Sequence, residues 1–427
     1  MTPEAFAARL DGLGPPPRRV ALGVSGGPDS LALALLAEAW AAARGVALVA
    51  LIADHGLRPG SGAEAEGVAR LLSARGMEVR LLRLAIPPGA ALQERAREAR
   101  HAALLAACAE AGAPWLLLGH QRADQAETLL MRAETGSGPL GLAGMPFLRA
   151  APQALLIRPL LDVAPAVLAA LCAAAGVIPL ADPANRDPRF RRARLRSALG
   201  DPGGEGPRIA ALTDAAAALG RRRAVTEAAL AARLAACARI HPGGAVRIDR
   251  AALGRDRLAV LLLGRLIRAV GGSPHAPATE ATARLLEAGQ GTLGGAWWRP
   301  DGWLLREPTA CAPPVPAEAG AVWDGRFVLG SGWAGCLVGA AGPGLPRPRG
   351  IPAALAAGLP ALWRGGRRLA VPHLGLGPPV PDLLWQPAGG PIAPGFVPLP
   401  RTGHSPDADP PYVRGDTGTP PEKDVQP

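Results

Sequence analysis

The sequence has a single lysine, Lys423, among 46 basic side chains. Arginine therefore carries nearly all of the +11 net charge left by 35 Asp and Glu in 427 residues. A coding bias that enriches Ala, Arg, Gly and Pro together accounts for part of that balance. The charge supports a polyanionic partner such as RNA or DNA without establishing one. The five cysteines, Cys108, Cys172, Cys237, Cys311 and Cys336, are scattered. Their spacing excludes a Cys-x-x-Cys metal or redox motif, and their odd count argues against a disulfide framework. A reducing cytoplasm fits. No apolar run reaches the roughly 18 residues of a membrane span. The richest stretch, 31–53, is broken by Glu38 and Arg44. The first residues carry Glu4 and Asp11 and no run of signal-peptide type, so a cytoplasmic location and no membrane are expected. There is also no Gly-x-x-x-x-Gly-Lys-Ser/Thr phosphate loop, and hence no lysine reaching the β- and γ-phosphates in that way.

What the sequence does have is Ser25-Gly26-Gly27-Pro28-Asp29-Ser30, set between an apolar run (Val20–Val24) and an Ala/Leu-rich one (Leu31–Ala43). This reads as strand, turn, helix. Two glycines let a bulky anion approach the main-chain amides. The helix start adds partial positive charge, and the two serines add donors. Phosphate is the natural occupant. A carboxylate beside phosphate needs a bridging cation, so Asp29 predicts Mg²⁺. The plainer alternative is a helix-terminal Asp meeting the dipole.

Strand and helix signals alternate over 20–160, which predicts a parallel sheet wrapped by helices. Ligands of such sheets bind at the carboxyl ends of the strands. Three polar clusters follow strands and so converge on one edge: 25–30, Asp54-His55, and 119–128. Asp54 and His55 are placed to meet a base or ribose, or else form an ordinary capping turn. In Gly119-His120-Gln121-Arg122-Ala123-Asp124-Gln125-Ala126-Glu127-Thr128, residues Asp124, Glu127 and Thr128 fall within one helical turn. An Asp/Glu pair so placed suits a metal or a general base. Arg97 and Arg100 share a face of the helix expected over 92–111. Arg186, Arg189, Arg191, Arg192, Arg194 and Arg196 form a basic run suited to RNA phosphates, or to simple solvation.

The Ser-Gly-Gly-x-Asp-Ser loop resembles that of the PP-loop ATP-pyrophosphatases. Beyond it the chain is similar to the tRNA(Ile)-lysidine synthetases at Asp54-His55-Gly56-Leu57-Arg58, Ala96-Arg97 with Arg100, Gly119-His120 with Asp124-Gln125 and Glu127-Thr128, Gly136-Ser137-Gly138 with Gly141, and Asp182-Pro183 with Asn185. It departs from them at His101, where Tyr is usual, at Ala123, where Asp is usual, and at Thr135, where Arg is usual. The resemblance implies an adenine-nucleotide α-hydrolase-like fold and a two-step ligation. ATP with Mg²⁺ adenylylates C2–O of the wobble cytidine of tRNA(Ile) with a CAU anticodon, and L-lysine displaces AMP to give lysidine. It implies that Ser25, Gly26, Gly27, Pro28, Asp29, Ser30, Asp54, His55 and His120 bind the nucleotide. It further implies metal at Asp29 and Asp124, and catalysis by Asp29, Arg97, Asp124 and Glu127. A homodimer is compatible. The alternatives are another tRNA-modifying or amide-forming member of the superfamily, or an inactive RNA-binding relative, which Ala123 brings into view. The thiolating members generally need paired cysteines, which this chain lacks.

By composition the chain divides into an α/β domain (1–200), a mainly helical domain (208–310), an irregular, Trp-rich, β-like segment (311–374), and a Pro/Gly/Asp-rich tail (375–427) expected to be disordered; the resemblance implies that the first is catalytic and that the second binds tRNA or substrate. A hairpin is expected where Gly294–Trp298 and Gly302–Arg306 flank Arg299-Pro300-Asp301.

Overall fold

The structure, a computed structural model, describes residues 1–56, 60–86, 89, 92–181, 187–380 and 383–399. Leu57-Arg58, the Asp182–Arg186 run and the tail from 400 onward, singled out above, lie outside the described residues. The described residues form two compact units. The first comprises 1–135 and 144–217 together with the residues from 398; the second comprises 136–143 and 218–397.

In the first unit the order is α1 (Pro3–Asp11), β1 (Arg19–Val24), α2 (Pro28–Ala42), β2 (Ala47–Asp54), α3 (Ser61–Ala74), β3 (Glu78–Arg83), α4 (Leu92–Ala111), β4 (Trp115–Leu118), α5 (Arg122–Glu134), β5 (Leu148–Ala150), β6 (Leu155–Ile157), α6 (Pro165–Ala174) and α7 (Arg191–Leu199). The division between units falls inside α8 (Pro207–Cys237). The sheet runs β3-β2-β1-β4-β6-β5. Pairs β1/β2, β1/β4, β2/β3 and β4/β6 are parallel. The expected parallel sheet is there, with one antiparallel strand at its edge. Strands β5 and β6 are joined by a tight turn closed by Ala151 N–H on Ala154 O at 3.0 Å, too short for a crossover.

Strand β1 is central and its side chains are buried on both faces. Val20 and Leu22 pack with α1, α2 and α6, and Ala21 packs with α4. Helix α2 lies between the sheet on one side and α1 and α6 on the other, which explains why it is apolar around most of its circumference, from Leu31 to Ala41. Each fully buried Leu or Val contributes roughly 1.5–3 kcal/mol. Polar ties lock the layers. The Trp40 indole N–H donates to Asp11 Oδ1 at 3.0 Å, and Arg9 grips Asp162 bidentately with both contacts at 2.7 Å.

In the second unit β7 (Ala238–His241), β8 (Ala245–Ile248), α9 (Arg250–Leu253), α10 (Arg257–Gly271), α11 (Thr279–Ala288), β9 (Gly291–Leu293), β10 (Ala296–Trp298) and β11 (Trp303–Arg306) follow. The expected hairpin is β10–β11, with Trp298 opposite Leu304. It belongs to a small antiparallel sheet, β7-β8-β11-β10-β9, set in a segment that α8, α10 and α11 make mainly helical, as expected. Its strands are three or four residues long, too short for the period-2 pattern to stand out. Beyond it lie β12 (Val315–Pro316), β13 (Val322–Trp323), β14 (Phe327–Leu329), β15 (Leu337–Ala340), α12 (Ala353–Ala357), β16 (Pro360–Arg364), β17 (Arg367–Ala370) and β18 (Leu383–Trp385). They build two further small sheets, β12-β15-β16-β17 and β13-β14-β18.

The expected disorder from 375 onward does not hold for the described residues 375–380 and 383–399. Strand β18 pairs with β14. Arg268 donates to the carbonyls of Ala388, Gly390 and Pro391 at 2.7, 2.9 and 2.9 Å. Ile392 is buried in the core around α10. A few apolar anchors and arginine–carbonyl bonds order this segment, and neither shows in its composition.

Candidate active site

The β1–α2 loop is tied internally. Ser25 N–H donates to Ser30 Oγ at 3.1 Å, and Ser30 Oγ donates to Gly27 O at 3.0 Å. Gly26 has φ +83°, and a Cβ there would lie 2.7 Å from both Leu180 and Val68. That position needs glycine for its backbone and for the space beside it. Gly27 caps α2 and Pro28 occupies its first turn, so Asp29 and Ser30 stand at the helix start as expected. Helix α2 carries no side-chain cap at this end. Its first amides are thus available to an anion.

Strand β4 delivers the second cluster beside the first. A Cβ on Gly119 would lie 3.0 Å from Asp29 O and 3.2 Å from Ser30 Cα. Only glycine lets the end of β4 approach the start of α2 so closely. Helix α5 opens with a reciprocal cap: Gln121 Oε1 accepts from Ala123 N–H at 2.5 Å, and Asp124 Oδ2 accepts from Gln121 N–H at 3.1 Å. Ala123 packs with Ala126 and Ile209 in a small apolar cluster. An Asp at 123 would meet that apolar surface, while Asp124 carries the carboxylate that meets Arg196.

Asp29, Asp124 and Glu127 form an acidic group answered by Arg196. Arg196 Nε donates to Glu127 Oε1 at 2.5 Å, and Nη2 donates to Asp124 Oδ1 at 3.2 Å. Glu127 is 0 % exposed, and burial pushes its pKa up despite Arg196. Burial, with Asp124 close by, raises Asp29 to about 7, although Arg196 and a Gln121 hydrogen bond oppose this. Asp29 Oδ1 is buried with no hydrogen-bond partner among the described residues. Such an orphaned oxygen at a phosphate-type loop suits a hard cation. The basic run in 186–196 is only partly available for phosphate: Arg196 faces inward, Arg191 pairs with Glu134, and Arg189 pairs with Asp187.

His120 follows Gly119. Burial lowers its pKa to about 3, with Arg158, Arg97 and Arg192 adding to the effect against Asp124, so the imidazole is neutral. Its Nδ1 is buried without a partner among the described residues. Arg97 is exposed near the start of α4, within electrostatic reach of Asp124 and Arg192. His101 is half-buried, with its pKa lowered by burial and by Arg149, Arg158, Arg97 and Arg100.

Asp54 serves its own turn. Its Oδ1 accepts from Gly56 N–H at 3.0 Å and from Ser61 Oγ at 2.7 Å, which hold its pKa down. This is the capping alternative; His55 follows at the same edge. Pattern reading missed Arg158, buried after β6, and the inward role of Arg196. The Arg-Pro pair at 158–159 carries no periodic signal, and Arg196 meets Glu127 across 69 residues.

Residues 4–202 match the PP-loop ATP-binding domain family. The tRNA(Ile)-lysidine synthase of Methylobacterium nodulans is 41% identical over 338 residues, which cover 74% of this chain and 97% of that protein. The synthase of Methylobacterium sp. strain 4-46 is 42% identical over 295 residues, 67% of this chain and 85% of that one. That of Hyphomonas neptunium is 48% identical over 187 residues, 42% and 50% of the respective chains. An ATP-type loop, an acidic group closed by Arg196, and sequence identity across nearly the whole length of the first of these relatives agree: the chain belongs to the tRNA(Ile)-lysidine synthase family.

Proposed function

We infer that the chain ligates L-lysine to C2 of the wobble cytidine of tRNA(Ile) bearing a CAU anticodon, at the expense of ATP. The observation that carries this reading is the junction of the open-amide β1–α2 loop with the buried Asp29–Asp124–Glu127 group. The loop amides, Ser25 and Ser30 would hold the triphosphate. The cytidine C2 oxygen attacks the α-phosphorus and pyrophosphate leaves. The lysine ε-nitrogen then attacks C2, and AMP departs with that oxygen. Adenylylation makes a poor leaving oxygen a good one, and the protein contributes positioning and charge neutralisation. Arg97 would stabilise charge developing on phosphate or on the cytosine oxygen. The attacking amine must be neutral, and Asp124 or Glu127 would take its proton.

Asp29, with its orphaned oxygen, fits Mg²⁺ together with phosphate oxygens, and Asp124 is the second carboxylate in reach of the same group. The cation would neutralise the leaving pyrophosphate. The inactive-relative alternative, which Ala123 raised, is not favoured by the 41% and 42% identity to two named synthases over 97% and 85% of their length. Among the described residues no helix is long and apolar enough to cross a membrane.

The test is nucleoside analysis of CAU-anticodon isoleucine tRNA after incubation with ATP and lysine, alongside ATP–pyrophosphate exchange with and without tRNA. Lysidine and tRNA-dependent exchange are expected. Exchange indifferent to tRNA would point to another substrate of the superfamily, and no exchange to an inactive relative.

A further inference from the structure

Arg158 is an anomaly among the buried arginines. It directly follows β6, and the pairing of Leu117 with Ile157 sets it level with Leu118, one residue before Gly119-His120. It therefore stands at the carboxyl edge of the sheet, next to the strand that delivers His120 and Asp124. It is 6 % exposed. Nη1 donates to Pro146 O at 2.9 Å, while Nε is buried with no partner among the described residues.

Other buried arginines are answered. Arg9 has Asp162, Arg326 has Asp324, and Arg268 has three carbonyls. Around Arg158 the charges that register are cationic: Arg149, Arg97 and Arg132. A desolvated guanidinium among like charges is costly unless an anion completes it. Two unsatisfied buried polar atoms, Arg158 Nε and His120 Nδ1, thus end adjacent strands on one side of the site.

The reaction offers three kinds of anion. The triphosphate belongs to the β1–α2 loop, two strands away in the order β1-β4-β6. An RNA phosphodiester stays on a polymer backbone and suits exposed arginines rather than one this deeply buried. A free amino acid is small enough to enter, and its single carboxylate matches one fork of guanidinium donors. Its amino groups would turn toward Asp124, whose charge His120 senses together with that of Arg158.

We propose that Arg158 binds the α-carboxylate of the acceptor lysine and, with His120 beside it, forms the wall that orients the amino acid toward the adenylylated cytidine. This rests on the lysine-ligating reading above. It makes Arg158 a specificity residue for a free amino acid, one that would disfavour amines lacking a carboxylate.

The test compares lysine with lysinamide, in which the carboxylate is replaced by a neutral amide. The ratio of their kcat/KM values is measured for the unaltered protein, Arg158→Gln and Arg158→Lys. The ratio does not depend on how much of a variant folds. The unaltered protein should prefer lysine by about tenfold or more, the scale of one charge-assisted hydrogen-bond pair. In Arg158→Gln the ratio should fall to about one, and Arg158→Lys should recover part of it. A ratio unchanged in Arg158→Gln, or no preference in the unaltered protein, overturns the assignment. Failure of the unaltered protein to form lysidine at all would instead sink the functional reading.

Discussion

Gly119 shows how much one missing methyl can decide. A Cβ there would press on Asp29 O at 3.0 Å and on Asp29 C at 3.1 Å, both main-chain atoms that cannot swing away. Gly119→Ala should push the start of α2 away from β4, costing about 1–3 kcal/mol of stability. ATP affinity should fall further than stability alone explains. Urea unfolding and nucleotide titration of the same variant check both. By contrast, the Cβ of a Gly23→Ala change would meet first the far end of the Leu118 side chain, at 2.8 Å, which can rotate. The need for glycine in the Gly26-Gly27 turn was visible in the sequence as a loop signal. The need at 119 was visible only as a motif letter; its cause is a close approach between elements distant in the chain.

At the scale of elements, α7 acts as a strut on α5. Its Arg196 satisfies Glu127, which is cut off from water, and reaches Asp124 as well. Removing one member of such a pair leaves the other charge buried and uncompensated. Arg196→Met should therefore destabilise the first unit by about 2–3 kcal/mol. Adding Glu127→Gln, which removes the orphaned charge, should restore part of that stability. A double-mutant cycle on chemical denaturation reads the coupling directly. A strictly additive cycle would mean that the pair is held by its surroundings rather than by each other. The bounds of α4 and β4 were legible residue for residue, α4 from its helical spacing and β4 as a short apolar run closed by Gly119. The strut was not: a run of arginines at 189–196 looks the same whether it faces solvent or a buried carboxylate.

For the molecule as a whole, the segment 383–397 is part of the second unit. It supplies a strand to β14, carbonyl acceptors to Arg268, and the Ile392 carbonyl to Arg265 at 3.3 Å. Ending the chain after Gly375 should cost the second unit its cooperative thermal transition and expose α10 to limited proteolysis. Calorimetry with a protease time course checks this, and an unchanged transition would mean that the segment only decorates the unit. The local order of strand, phosphate loop and helix was determined by the sequence alone, since periodicity, glycine and capping act over a few residues. So was the gathering of polar clusters at the carboxyl ends of parallel strands, because that follows from alternating elements in any such sheet. Tertiary structure decided which charges meet: Arg196 with Glu127, Arg158 left without an anion among the described residues, and Asp54 turned back on its own loop. Whether a charge is costly or useful depends on what stands opposite it after folding, and no local pattern records that.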